Sequence, residues 1–255
     1  MKPVMQDFDK NFSVASGIMN RGQMRKSLML SLTGVFAALH AVLYFVSFGL
    51  WRNWAIYIES IEGIVLGPRI GFFAALVGSS VARMAKPDAS WMFGIIAEPL
   101  SVLMAGLLAK AKWKPVLAAY AVMFSAYFIH PFGRALPLWT IFDVLLAFFL
   151  VYPAARLSGN LFRSDHKLSA TALLLISFVC TATDSLLRVF LLVPCGLYGL
   201  FYEGSEAFQG LQLVFVGSAI DSYIEDLIVV AVSFLVGLPL LISLFKLRLL
   251  GTEHR

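Results

Sequence analysis

The stretch at residues 55–84, AIYIESIEGIVLGPRIGFFAALVGSSVARM, decides how this chain folds. Most of its residues are apolar, yet it carries two carboxylates, two arginines and a Gly-Pro pair: Glu59, Glu62, Arg69, Arg83, Gly67 and Pro68. A chain of 255 residues cannot cover several such stretches with a water-excluded core. In a bilayer the stretch predicts two short spans, 55–67 and 69–84, joined by a tight turn, with their charges facing protein or water.

The composition agrees with a membrane protein. Hydrophobic residues make up 60% of the chain and charged residues 14%, and the mean hydropathy is +0.83. These values are typical of polytopic membrane proteins. The net charge of +5 is explained by basic cytoplasmic loops, so we expect no nucleic-acid partner. Cys180 and Cys195 lie in or beside apolar segments, where we expect free thiols.

Apolar segments of membrane-crossing length follow one another along the chain. After a polar tail at 1–27, the segment 28–50 is long enough to cross a ~30 Å core at about 1.5 Å per residue, and it should direct insertion without a cleaved signal. Beyond the paired spans, we predict spans at 91–109, 115–129, 138–152 and 170–193, and a final run at 213–244 that is too long for one untilted span. The fold class is therefore an all-α polytopic transmembrane helical bundle of about six to eight spans. It forms a single domain at 28–250, followed by a short tail at 251–255.

The distribution of Lys and Arg predicts the orientation of the bundle. The basic segments are the N-terminal tail, the turn at Arg69, the loop at 110–114, the loop at 156–167 and the C-terminus. With about eight crossings, all of these segments fall on one side, which the positive-inside rule makes cytoplasmic. We therefore expect a multi-pass protein of the cell membrane with both termini in the cytoplasm.

The intramembrane polar residues fall mainly in the outer halves of the predicted spans. A charge at the centre of a helix costs about 2.5–3.5 kcal/mol on insertion, so these side chains should face one another. This predicts either a polar pocket open to the outside or structural ion pairs, such as Arg83 with Glu98 and Asp184 with Arg188. The candidate substrate-binding residues are Arg52, Asn53, Glu59, Glu62, Arg83, Trp91, Glu98, His130, Arg134, Trp139, Asp184 and Arg188. Acids outnumber bases among the candidates expected to be buried, which favours a neutral or cationic polar ligand.

Small residues form a stripe on the first span. Gly34, Ala37, Ala38 and Ala41 lie at positions i, i+3, i+4 and i+7, on one face of a helix. Small residues allow another helix to approach closely within a membrane. The stripe predicts either packing inside the bundle or a docking face for a partner helix.

The stripe belongs to a longer succession of motifs over about residues 28–110. A turn follows it, then a span ending in Gly-Pro-basic-x-Gly at 67–71, then a helix rich in small residues: Ala74, Ala75, Gly78, Ser79 and Ser80. This succession resembles the substrate-binding S components of energy-coupling factor (ECF) transporters.

The resemblance implies a non-enzymatic protein that binds a vitamin or related micronutrient from outside, at the first loop and the outer ends of later helices. Its partners would be a transmembrane coupling subunit and two cytoplasmic ATPases, and Ala37 and Ala41 match the docking stripe for the coupling subunit.

Several catalytic motifs are absent from the sequence. It contains no GxxxxGK[ST] loop, no HExxH and no GxSxG elbow, and its histidines are scattered, so we expect no metal and no cofactor. Two other classes stay open. One is a membrane enzyme acting on a lipid-linked substrate through Asp221 and Glu225, whose i, i+4 spacing suits Mg²⁺. The other is a self-contained secondary transporter that uses the helix break at Gly67–Pro68.

Overall fold

A computed structural model describes residues 26–46, 53–87, 90–161 and 166–246. Within these ranges the chain forms helices and turns and no strand, so the predicted all-α fold is confirmed. The predicted pocket residue Arg52, most of the N-terminal tail and the C-terminal tail lie outside the described residues.

Nine α-helices occur in the described ranges. They are α1 (Lys26–Tyr44), α2 (Ile56–Ala85), α3 (Trp91–Ala109), α4 (Trp113–Ile129), α5 (Pro131–Ala135), α6 (Phe142–Leu157), α7 (His166–Leu192), α8 (Ala207–Val232) and α9 (Leu238–Lys246). Short 3₁₀ helices occupy Leu138–Ile141, Ser158–Asn160, Leu197–Leu200 and Gly204–Glu206. Among the described residues, 6 helices are long and apolar enough to cross a membrane, counting α8 and α9 as one, and α4 is a shorter apolar helix. The chain is therefore a multi-pass membrane protein.

Helix α2 is broken at Gly67, where the chain reverses direction. Gly67 has φ 77° and ψ 172°, a backbone conformation that residues with a side chain rarely adopt, and Pro68 follows it without an amide hydrogen. The two halves of α2 then lie against each other, because a Cβ on Gly71 would come within 3.4 Å of the Cα of Gly63. The prediction of two helical segments broken at the Gly-Pro pair is confirmed.

Helix α3 packs tightly against both halves of α2. A Cβ on Gly63 would lie 2.9 Å from the Cβ of Ala105, and one on Gly71 would lie 2.9 Å from a methyl carbon of Val102. Only glycine permits approaches this close, so the three segments form one compact unit. Among the described residues this unit carries four of the eight buried Asp, Glu and Arg side chains: Glu59, Glu62, Arg83 and Glu98.

The turn of α2 lies beside the end of α3. The Lys110 ammonium nitrogen lies 3.5 Å from the position that a Cβ on Gly67 would occupy. The turn with Arg69 and the lysines after α3 therefore share one end of the bundle. We call this end the basic end.

Helix α1 covers the second half of α2. Its inward residues Phe36, His40 and Tyr44 are buried and spaced four residues apart, so they share one helix face. A Cβ on Gly78 would lie 2.8 Å from the Cβ of His40, which shows how closely the two helices approach. At the end away from the basic end, the Tyr44 hydroxyl donates to the carbonyl of Lys86 at 3.0 Å.

The last apolar run is longer than predicted. It begins at Ala207 rather than at residue 213, and its helical segments extend over 38 residues to Leu244. A π-helical turn at Ser233–Gly237 separates α8 from α9. Pro239 lies just after this turn, and its missing amide hydrogen removes one helical hydrogen bond.

The outer surface of the bundle is apolar. Large hydrophobic side chains on different helices are more than half exposed, among them Val42, Phe73, Phe149 and Leu227. An apolar surface of this extent fits contact with lipid and not with water.

Candidate functional site

Five ionisable side chains from three helices meet inside the bundle. His40 comes from α1, Glu59, Glu62 and Arg83 from the two halves of α2, and Glu98 from α3, and each is at most 5% exposed. We call these five residues the ion cluster. The reversal at Gly67 positions it, since it brings Glu59 and Arg83, which are far apart along the chain, to the same level of α3.

Glu98 is the centre of the ion cluster. Both of its oxygens accept hydrogen bonds from the Arg83 guanidinium, at 2.9 and 2.5 Å. Oε2 also lies 3.2 Å from His40 Nε2 and accepts from the Ser79 hydroxyl at 2.7 Å. Oε1 accepts weakly from Asn53 on the chain before α2, at 3.4 Å. One carboxylate thus joins three helices and the segment that precedes α2.

The other two carboxyl groups of the ion cluster have different neighbours. Glu62 Oε2 lies 3.1 Å from His40 Nδ1, so the imidazole is held between two carboxyl groups. Glu59 Oε2 lies 2.5 Å from the Ser101 hydroxyl oxygen. The remaining oxygen of each group, Oε1, is buried and has no hydrogen-bond partner among the described residues.

Arg83 occupies a place that small and aromatic neighbours shape. A Cβ on Gly94 would lie 2.8 Å from Arg83 Nε and closer still to the terminal guanidinium atoms, so a side chain at that position would displace the arginine. The ring of Tyr44 lies 4.9 Å from the guanidinium carbon, a cation–π distance. Arg83 is therefore packed in place as well as paired.

A cavity of about 360 Å³ lies beside the ion cluster, at the end of the bundle away from the basic end. It is lined by the start of α3, the start of α6, the end of α7, the segment before α8 and the middle of α8. Its volume falls in the range of small-molecule sites. Its charged and polar lining residues include Arg188, Asp143, Glu225, Thr140, Ser185, Ser218, Ser222 and Tyr202, and aromatic Phe93, Phe201 and Phe215 supply apolar wall.

Arg188 connects the cavity to the ion cluster. Its guanidinium pairs with Asp184 on the same helix, at 2.7 and 3.2 Å, and lies 3.5 Å from Glu98 Oε1. Its side chain is 27% exposed, whereas that of Asp184 is fully buried. Arg188 is thus the residue through which a molecule in the cavity could act on the buried charges.

The cavity is lined by two polar stripes that the sequence analysis missed. Ser218, Ser222 and Glu225 follow one another at i, i+4 and i+7 on α8, and Ser185 precedes Arg188 by one turn on α7. The Ser222 hydroxyl donates to Asp143 Oδ2 at 3.0 Å, linking α8 to α6. Serines on the same helix face as Glu225 were the signal that could have found this wall.

The structure divides the predicted pocket residues into three sets. The first is buried in or beside the ion cluster, the second lines the cavity, and the third lies at half-buried or exposed positions elsewhere. The first set consists of Glu59, Glu62, Arg83, Glu98 and Asp184, with half-buried Asn53. Arg188 alone forms the second set. The third set consists of Trp91, His130, Arg134 and Trp139. Both ion pairs considered from the sequence are formed, and an open cavity exists beside them.

His40 belongs to the buried charges although the sequence analysis left it out of the pocket. It is the only His, Lys, Arg, Asp or Glu in its predicted span, so nothing in the sequence joined it to acids on other helices. One ligand atom each from His40, Glu59 and Glu98 lie within 4.8 Å of one another, a grouping that could hold a metal ion. The expectation of no metal was based on histidines that are scattered along the sequence. It did not consider a site made of one histidine and two glutamates.

The small-residue stripe on α1 is split by the packing. Ala37 and Ala41 are half-buried on the side of Gly78, whose added Cβ would lie 2.7 Å from the Ala37 carbonyl oxygen. Gly34 and Ala38 are exposed, and a Cβ on Gly34 would meet no described atom within 4 Å. The face that another protein could reach is therefore the one with Gly34 and Ala38.

The carboxylates considered for a membrane enzyme do not share the cavity wall. Glu225 is buried and lines the cavity, whereas the described lining does not include Asp221, which is half-buried. The i, i+4 pair is therefore not presented to the cavity as a pair of metal ligands.

Comparisons with known proteins give one distant relative. A Methanocaldococcus jannaschii protein described as uncharacterized protein MJ0923 is 25% identical over 169 residues. The match covers 64% of this chain and 57% of that protein, so the chain spans little more than half the length of this relative. No protein-family model matches the chain, and no solved structure matches it significantly.

Proposed function

We propose that this protein captures a small polar micronutrient from outside the cell and acts as the substrate-specificity subunit of an ATP-driven importer. The observation that carries the proposal is the cavity of about 360 Å³ at the end of the bundle away from the basic end. With basic segments in the cytoplasm, this end faces outside, so a ligand can enter from there. A bundle with an open cavity at this end and no P-loop motif in its sequence suits capture, with energy supplied by another subunit.

The lining of the cavity supports a ligand of defined chemistry. Asp143 and Glu225 are buried acids, and the Arg188 guanidinium is already paired with Asp184. The wall therefore offers acceptors, hydroxyl groups and aromatic faces, which favours a neutral or cationic molecule with a flat apolar part. This agrees with the preference inferred from the sequence.

The first experiment identifies the ligand. The protein is purified gently in detergent, and the small molecules released on denaturation and the co-purifying proteins are analysed by mass spectrometry. A stoichiometric vitamin-like compound, with or without ATPase partners, supports the proposal and names the ligand. Reproducible recovery of a lipid phosphate alone would favour the membrane-enzyme class.

The second experiment tests the docking of a coupling subunit. Leucine at Gly34 and Ala38 together should prevent co-purification with the coupling subunit and leave ligand binding unchanged, because both positions are exposed and neither is in the described lining of the cavity. Gly217→Leu is the matched control, since Gly217 is also an exposed helical glycine with no described atom within 4 Å of an added Cβ. Equal assembly of both variants would remove the docking face on α1.

The helix break in α2 favours one alternative, a self-contained secondary transporter. The segment Asn53–Ala55 lies at the level of Glu98, so the first half of α2 begins inside the bundle, as half-helices of such transporters do. Uptake by liposomes containing only this chain distinguishes the two functions. Ligand accumulation without any ATPase would replace the subunit proposal with the transporter.

A further inference from the structure

We propose that the ion cluster is a proton-binding site that holds two protons. One lies between Glu59 and Ser101, and the other lies on His40 or on one of the two carboxyl groups beside it. The site is separate from the cavity, and the proposal does not rest on which ligand the cavity binds. The proposal rests on hydrogen-bond geometry, on the net charge of the ion cluster and on two buried carboxyl oxygens without hydrogen-bond partners in the described residues.

The first proton follows from the contacts of Ser101. Its hydroxyl oxygen lies 2.7 Å from the backbone carbonyl of Glu98 and 2.5 Å from Glu59 Oε2. A hydroxyl has one hydrogen, so Ser101 cannot donate fully to both oxygens. A carbonyl can only accept, whereas a protonated carboxyl group can donate. Both short contacts are therefore hydrogen bonds at the same time only if Glu59 is protonated and donates to Ser101, which donates in turn to the carbonyl of Glu98.

The second proton follows from the contacts of His40. Nδ1 lies 3.1 Å from Glu62 Oε2, and Nε2 lies 3.2 Å from Glu98 Oε2. A neutral imidazole has one N–H, so it would place a bare nitrogen opposite a carboxylate oxygen. Both contacts are hydrogen bonds when the ring is an imidazolium or when one of the two carboxyl groups is protonated. Either arrangement adds one proton.

The charge of the ion cluster gives the same count. It contains three carboxyl groups and one guanidinium, so with a neutral histidine and ionised acids it carries a net charge of minus two. Two protons make it neutral. A charge left uncompensated within a membrane bundle is costly, and buried groups avoid it by protonation.

Two buried oxygens point independently to protonation. Oε1 of Glu59 and Oε1 of Glu62 have no hydrogen-bond partner in the described residues, and both side chains are fully buried. Glu59 also contributes an oxygen to the group that lies within 4.8 Å of His40 and Glu98. An ionised carboxylate would need a hydrogen-bond donor at its Oε1 atom. The carbonyl oxygen of a protonated carboxyl group is less costly to leave without a donor.

A metal ion fits this arrangement less well than protons do. Glu98 is in contact with both terminal nitrogens of Arg83, with His40 and with Ser79, so a metal would have to displace at least one of them. Besides Tyr44 of α1 and Asn53, which contact Arg83 and Glu98, three groups of α7 face the cluster. They are Arg188, Asp184 and the Cys180 thiol, which donates to the Ser101 carbonyl at 3.5 Å. Arg188 reaches Glu98 from the cavity side, so a ligand that moves it would alter proton binding.

Infrared spectroscopy tests the proposal on the full-length protein in lipid. A protonated carboxyl group has a carbonyl stretch distinct from the carboxylate bands. We expect this band at neutral pH in the wild type and expect it to shift when the glutamate side-chain carboxyls carry ¹³C. The band should be lost or reduced to the second proton's contribution in Glu59→Gln, whose amide resembles the protonated acid in shape and can donate to Ser101.

The matched control is Glu203→Gln, which removes an exposed glutamate and should leave the band unchanged. A labelled wild-type protein without the band would overturn the proposal, whether or not Glu59→Gln folds. A band that Glu59→Gln leaves at full intensity would overturn the assignment to Glu59. Elemental analysis closes the test: one equivalent of a divalent metal that is lost in Glu59→Gln would make the cluster a metal site instead.

Discussion

The ion cluster and the cavity are neighbours built from the same kinds of residue, yet they differ in how those residues are satisfied. In the ion cluster, Glu98 takes hydrogen bonds from Arg83 and Ser79 and lies beside His40, and every member is at most 5% exposed. In the cavity, acids and serines line an open volume of about 360 Å³. Charged residues in membrane helices occur in both regions and so do not show which one binds a ligand. The open volume beside the charged residues of the cavity is what distinguishes it from the ion cluster.

The two regions differ in the small residues that surround them, which are glycines at the ion cluster and serines at the cavity. Glycines at 63, 71 and 94 let α2, α3 and the Arg83 side chain approach closely around the ion cluster. On α7 and α8, serines replace the large residues that would have filled the space between those helices. We expect substitutions to affect stability mainly in the first region and ligand binding mainly in the second.

The largest effect should come from Glu98→Gln. The change leaves the buried Arg83 guanidinium without its carboxylate, and breaking a buried pair in this way costs about 3–5 kcal/mol. We expect the loss in the free energy of unfolding, measured by denaturant titration in detergent. Glu203→Gln, at an exposed site, should change it by less than about 0.5 kcal/mol. Unchanged stability with lost ligand binding would mean that the ion cluster is part of the ligand site.

Arg188→Leu should affect both regions. It removes the hydrogen bonds to Asp184, a fully buried carboxylate, and charged hydrogen bonds contribute about 1.5–3 kcal/mol each. It also changes the wall of the cavity. We therefore expect both the free energy of unfolding and the amount of retained ligand to fall, measured in parallel on one preparation. A fall in only one of them would show that Arg188 does not connect the two regions.

The helices and the reversal of α2 could be predicted from the sequence because apolar length and a Gly-Pro break have local causes. The pairs Arg83–Glu98 and Asp184–Arg188 were also within reach, since one follows from helix spacing and both from the cost of unpaired charge. His40 was not, because its partners lie on α2 and α3, and only the packing at Gly78 brings α1 close enough.

The cavity could not be located from charge alone. Of the predicted pocket residues, Arg188 is the one found in its described lining, and most of its polar wall consists of hydroxyl groups. Serine and threonine are common in membrane helices, where they bond to their own backbone, so they indicate a site only when they share a face. Tyr202 and Phe201 come from a segment between helices whose position depends on tertiary contacts.

Ser218→Phe should close the cavity without disturbing the ion cluster. Ser218 is half-buried on the cavity wall, so a phenyl group would occupy space that a ligand needs. We expect at least about a tenfold loss of ligand retention, equivalent to about 1.4 kcal/mol, and little change in unfolding. Phe149→Leu on the exposed face of α6 is the control for a change of bulk at the lipid surface. Equal retention in the two variants would place the ligand elsewhere.

The smallest effect separates two serines of the same helix face. Ser222→Ala removes the hydrogen bond to Asp143 that joins α8 to α6, which should reduce the free energy of unfolding by about 1 kcal/mol. Ser218→Ala removes only a bond to the carbonyl of Val214 on its own helix, and such bonds add little to helix stability, so we expect no measurable change. Both serines line the cavity, so a difference between the variants in unfolding reports the contact between helices. If both variants unfold alike, the hydrogen bond between Ser222 and Asp143 does not hold the cavity wall together.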